Sequence, residues 1–122
     1  MAKIERFEEV QSWQKARELA NSVYDLTARG AFTKDYALSN QVRRAAGSAM
    51  HNIAEGFDAG SNPEFIRFLK MARRSASEVQ SQLYLALDRS YINQAEMQEV
   101  YELATQVKKL INGLIAYLRQ HT

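Results

Sequence analysis

The chain has 122 residues, 46% hydrophobic and 25% charged, which fits one globular domain and excludes a disordered segment. Cysteine is absent, so disulfides, Cys-ligated zinc, iron–sulfur clusters and a thiol nucleophile are excluded. The net charge of +2 is too small to mark a nucleic-acid binder unless the cations are gathered into a patch. One proline and five glycines favour a few long helices over many short strands. The opening residues carry no apolar signal region, and no apolar run approaches the length of a membrane span. A cytoplasmic protein without a membrane partner is the expectation.

The first periodic segment runs from Val10 to Ala28, with Trp13, Ala16, Leu19, Ala20, Val23 and Leu26 on one face and Gly30 as its stop. The second runs from Lys34 to Glu55, with Thr33 as N-cap and Gly56 as its end. Its core face is Leu38, Val42, Ala45, Ala46, Ala49 and Ile53, small enough in volume to let another helix come close. Beside it, Gln41, Arg44, Ser48, Asn52 and Glu55 fall within about 80° of the helical wheel, as a hydrogen-bonded seam or a partner groove.

The third helix spans residues 63–89 and opens on Ser61-Asn62-Pro63-Glu64, a capping box with proline in the first turn. Phe65, Phe68, Leu69, Ala72, Ala76, Val79, Leu83 and Leu87 form its apolar stripe. Opposite lie Arg67, Lys70 and Arg74, with Arg73 to one side, over about 10 Å of helix, and Glu78 is the one acid that follows on that face. Arg43 on the second helix and Lys108-Lys109 on the fourth add charge, so the stripe is a candidate phosphate-binding surface. The fourth helix spans residues 94–119, opens on the Asn93–Glu96 box, and turns Met97, Val100, Ala104, Val107, Ile111, Leu114 and Leu118 inward. Short connections between long helices make neighbours antiparallel, so the expected fold is all-α, an up-down-up-down four-helix bundle in a single domain over residues 1–122.

Enzyme and cofactor signals are thin. Arg44 and His51 share a helix face and resemble the spaced Arg–His pair of HEPN-type helical ribonucleases, which makes RNA cleavage a minor alternative. No Glu-x-x-His pair, phosphate loop or nucleophile elbow is present, so no metal, cofactor or small-molecule substrate is expected.

Gln41-Val42-Arg43-Arg44-Ala45-Ala46-Gly47-Ser48 followed by Asn52-Ile53-Ala54-Glu55-Gly56 resembles the signature of the bacterial 23S rRNA intervening-sequence family, often labelled S23 ribosomal protein. The Val10–Ala16 opening around Trp13, and Glu64-Phe65 through Leu69, Ala72, Ser75 and Glu78, are similar to its first and third helices. Thr33, His51 and Arg74 depart from it, standing where the family usually has a proline, a small residue and a glycine. The resemblance implies a non-enzymatic bundle first noticed in open reading frames within ribosomal RNA insertions. It also extends to the accessory variability protein of diversity-generating retroelements, a pentameric barrel that binds nucleic acid through basic surface. It therefore implies a homo-oligomer, with a pentamer favoured, and RNA or DNA as a partner; fold-level analogy alone carries that step. The residues expected at a nucleic-acid surface are Arg43, Arg67, Lys70, Arg73, Arg74, Lys108 and Lys109. Trp13, Gln41, Arg44, Ser48, Asn52, Glu55 and Gly56 are the family-motif positions, structural or interfacial. A protein-interaction module without nucleic-acid binding is the alternative reading.

Overall fold

The computed structural model describes residues 3–121. Four helices carry the fold: α1 (Gln11–Thr27), α2 (Tyr36–Phe57), α3 (Asn62–Asp88) and α4 (Gln94–Gln120), and there is no strand among the described residues. Two 3-10 turns, Phe7–Glu9 and Gly30–Lys34, precede α1 and α2.

Each helix packs on its sequence neighbours, and α1 closes the ring against α4. Antiparallel order is visible in the cross-links. Arg29 after α1 pairs with Glu96 at the start of α4, Ser48 bonds Ser75 at mid-helix, and Asn62 opening α3 bonds the His121 carbonyl after α4. The bundle is thus up-down-up-down. Its core holds Leu19, Phe32, Ile53, Leu69, Leu83 and Ile111 with almost no exposure. Each such side chain contributes about 1.5–3 kcal/mol of burial.

The apolar stripes read from periodicity face inward as expected on α1 and α2. On α3, Phe68 and Leu87 are half-buried, while Ser75 and Gln80 are buried polar residues that the apolar pattern did not mark. On α4, Ile115 takes the fully buried place and Leu114 lies at its margin.

The caps differ in four places. Helix α1 ends at Thr27 with Ala28 as its cap, and Gly30, at φ 55°, opens the following 3-10 turn instead of closing the helix. Asp35, not Thr33, caps α2: its Oδ1 accepts from the Leu38 N–H at 3.1 Å, and Thr33 instead donates its hydroxyl to the Thr27 carbonyl. The reason is the Gly30–Lys34 turn, which sends Phe32 into the core and delays the helix to Tyr36. Gly56 does not end α2. It is buried inside the last turn, where a Cβ would stand 2.7 Å from the Phe68 Cβ and 3.0 Å from the Phe65 ring, so α3 is packed against bare backbone. Ser61 accepts from the Glu64 N–H at 3.3 Å, but the Glu64 carboxylate turns to Arg67 rather than back to Ser61. The Asn93–Glu96 box is complete. Helix α3 ends without glycine: Ser90 adopts φ 61°, and the Tyr91 and Ser90 N–H groups donate to the Ala86 and Leu87 carbonyls, a Schellman stop.

Candidate nucleic-acid interface

The α2–α3 seam is made of small residues. Ala45, Ala49, Ala72 and Ala76 are buried along it, so the close approach that the alanine-rich face permits is made by α3 of the same chain. The polar stripe of α2 runs along the edge of this seam. Asn52 donates its amide to both the Ser48 carbonyl and the Ser48 hydroxyl at 2.9 Å, and the Ser48 and Ser75 hydroxyls meet at 3.0 Å. These bonds satisfy groups that helix packing would otherwise strand. Gln41 and Arg44 border a shallow groove there with Glu78 and Gln82, and Glu55 is exposed beyond it. Glu78 borders this groove and forms no ion pair with Arg74, one turn before it on α3.

The α3–α4 seam is built from longer side chains. Lys70, Arg73 and Arg74 of α3 and Lys108 of α4 line one open groove, with Ser77 and Asn112 between them. Arg73 reaches across to the Asn112 carbonyl oxygen at 2.7 Å. Lys108 donates to the Ser77 hydroxyl at 3.2 Å and the Gln80 carbonyl oxygen at 2.7 Å. Gln80 in turn donates to Thr105 and to the Tyr101 carbonyl. All of these acceptors are neutral, so the two bridging cations are oriented without losing their charge. Lys108 has three N–H donors and spends two, and Arg73 keeps most of its five. Lys70 and Arg74 have no ion pair or hydrogen bond among the described residues and are exposed. Four positive groups on one groove, with no acid lining it, form a surface suited to phosphate oxygens.

The other expected cations stand apart. Arg67 is held by Glu64 through two hydrogen bonds of 3.2 and 3.0 Å, and its guanidinium lies 4.7 Å from the Phe68 ring centre. The pair holds the Glu64 carboxyl below its ordinary value, by hydrogen bond first and charge second, and raises Arg67 for the same reasons. Arg43 points toward α1, donating to the Thr27 hydroxyl at 2.7 Å with its guanidinium 4.8 Å from the Tyr24 ring centre. Lys109 is exposed on α4 outside the groove. Ser77, Gln80 and Asn112, which hold the basic groove in shape, are neutral and escaped a reading based on charge. Their signal was spacing alone, since Ser77 and Gln80 lie one and two turns after Arg73 on the same face of α3.

Trp13 is a buried anchor of α1, edge-on to Phe7 with ring centres 5.2 Å apart. His51 is exposed, with its ring over Gly47, and does not line the groove that Arg44 borders. No group of three or more acidic or histidine side chains is placed to hold a metal, and no helix is long and apolar enough to cross a membrane, among the described residues.

The fold and site define an all-helical bundle with small residues packed along the α2–α3 seam and four cations gathered along the α3–α4 seam. Residues 8–113 match the family described as 23S rRNA-intervening sequence protein, and the chain belongs to that family. A solved structure from Bacteroides thetaiotaomicron, a protein of unknown function from the S23 ribosomal protein family, is similar at a TM-score of 0.78 and 26% identity, covering 85% of this chain and 97% of that one. No curated protein matches the chain.

Proposed function

We propose that this protein is a non-enzymatic, homo-oligomeric helical scaffold that binds nucleic acid through backbone phosphates in the α3–α4 groove. The observation that carries the reading is the convergence of Lys70, Arg73, Arg74 and Lys108 on one groove without an acid. The family name, with its reference to 23S rRNA, supports a nucleic-acid context. Phosphate contacts position a protein but read no bases, so binding is expected to be tolerant of sequence.

The test is fluorescence anisotropy with labelled RNA and DNA across a salt series. Four phosphate contacts predict a slope of log K against log salt of about −3 to −4. Replacing Lys70 and Arg74 by Ala should weaken binding to every sequence, whereas Arg67→Ala, whose partner is Glu64, should change it little. Absent binding at low salt, or binding indifferent to Lys70 and Arg74, would sink the reading. An oligomer, with five subunits the number favoured by the sequence resemblance, predicts a mass by light scattering well above that of one chain; a strictly monomeric mass at micromolar concentration contradicts it. Exposed Tyr24 (51%), Tyr36 (73%) and Leu85 (50%) are apolar surface that subunit contacts would cover. The ribonuclease reading predicts RNA cleavage lost in His51→Ala, and a wild-type protein that leaves RNA intact would end it.

A further inference from the structure

The basic groove is one part of a longer strip. Along the α3–α4 seam the cross-links follow in order: Arg73 with Asn112, Lys108 with Ser77 and Gln80, Gln80 with Thr105 and Tyr101, and finally the Tyr84 ring against the Tyr101 ring. Helical arithmetic puts Tyr84 within about 20° of Arg73 and Ser77 on α3, so ring and cations share one face. From Arg73 to Tyr84 the helix rises about 16 Å, the length of about five stacked nucleotide steps.

The two ends of the strip differ chemically. At one end are the cations. At the other, Tyr84 is 54% exposed, and its ring meets Tyr101 edge-to-face at 78° with centres 5.9 Å apart. Whichever ring supplies the edge, at least one face of Tyr84 is left uncovered by Tyr101. Glu99 and Glu102 border that end. Their charge repels phosphate but tolerates a neutral base, so the ring end suits a nucleobase and the cation end suits a backbone. A duplex cannot supply both within one short strip, because its bases are stacked inside and its phosphates outside. An unpaired strand can.

We infer that the α3–α4 strip is a binding site for single-stranded nucleic acid, with phosphates on Arg73, Arg74 and Lys108 and an unstacked base on the open face of Tyr84. This rests on the phosphate-binding reading and adds to it the class of strand and the polarity of the site. Base–aromatic stacking of this kind tolerates any base and depends on the strand being unpaired.

The experiment compares three labelled probes of equal length at fixed low salt: an unstructured oligonucleotide, the same sequence as a duplex, and an abasic strand with the same phosphates. The wild-type protein should bind the oligonucleotide more tightly than either of the others. Tyr84→Ala should weaken the oligonucleotide by about 5- to 100-fold and leave the abasic strand unchanged, and Tyr84→Trp should restore the preference. Arg74→Ala should weaken all three. Equal binding of oligonucleotide and abasic strand by the wild type, or preference for the duplex, overturns the inference and leaves backbone binding standing. Failure to bind any probe overturns both. The wild-type comparison needs no variant, so a poorly folding substitution does not blunt it.

Discussion

The two seams flanking α3 are made by the same helix and behave in opposite ways. Toward α2 it presents Ala72, Ser75 and Ala76 and comes so close that Gly56 has no room for a Cβ. Toward α4 it presents Arg73, Ser77, Gln80 and Tyr84, and an open groove runs between the helices there. The small seam spends its polar groups on itself, serine to serine and asparagine to serine. The long seam orients cations with neutral partners and leaves donors over. Of Asn52-Ile53-Ala54-Glu55-Gly56, Ile53 is buried in the core, Gly56 meets α3 and Asn52 bonds Ser48 along the closed seam, while Glu55 stays exposed.

The sharpest way to break this contrast is to overfill the closed seam. Gly56→Leu should cost about 3 kcal/mol in urea unfolding, the upper end for overpacking, or prevent folding, because α3 would have to move away from α2. A stability within about 1 kcal/mol of wild type would show that the seam is looser than its geometry. On the open seam, the Lys70→Ala, Arg74→Ala double variant should reduce the salt slope of nucleic-acid binding by about 2 while unfolding within about 0.5 kcal/mol of wild type. Loss of stability in step with loss of binding would erase the division of labour.

Smaller effects test the edges. Gly113 lies inside α4, and nothing is within 4 Å of where its Cβ would be. Gly113→Ala should therefore stabilise by about 0.5–1 kcal/mol, opposite in sign to any enlargement of Gly56. Ser90→Gly should gain a similar amount, because Ser90 holds φ 61° at the end of α3, a conformation glycine adopts freely. The smallest effect is with pH. Glu96 is held below its ordinary value first by the Asn93 N–H and then by Arg29, and Glu64 by Arg67. A lowered carboxyl stabilises the fold above the unfolded-chain value near 4.3 and loses that contribution as pH falls through its folded value. Stability should thus decline slightly below about pH 4, and Glu96→Gln should flatten that decline in thermal melts followed by circular dichroism.

Much of the fold was legible because periodicity and breakers act within one helix. All six core residues expected on α2 are buried, from Leu38 to Ile53, and the helix bounds fall within about two residues of the expected ones. What failed was the assignment of faces to neighbours. Arg43 and Arg44 are about 100° apart and flank the core on opposite sides, so one reaches Thr27 of α1 and the other borders the groove toward α3. A wheel separates such residues but cannot say which helix stands on each side. Arg67 stands apart from the groove for a local reason: Glu64, three residues before it, is its natural ion-pair partner as well as part of the α3 cap sequence. Asp35 rather than Thr33 caps α2 because the buried Phe32, the one large apolar residue in a polar connection, anchors a 3-10 turn that carries the chain past Thr33.

Asp35 has a second bond. While its Oδ1 caps α2, its Oδ2 accepts from the Tyr91 hydroxyl at 2.9 Å, and the Tyr91 ring stacks on Phe32 with centres 5.2 Å apart. The α1–α2 and α3–α4 connections, 56 residues apart in sequence at Asp35 and Tyr91, are thereby fastened together at one end of the bundle. At the other end the turn into α3 is tied to the tail of α4 by an exposed bond between the Asn62 amide and the His121 carbonyl. Local opening should start there: amide hydrogens near Asp58 and His121 should exchange with solvent well before those beside Asp35, and proteases should nick the chain at the same end.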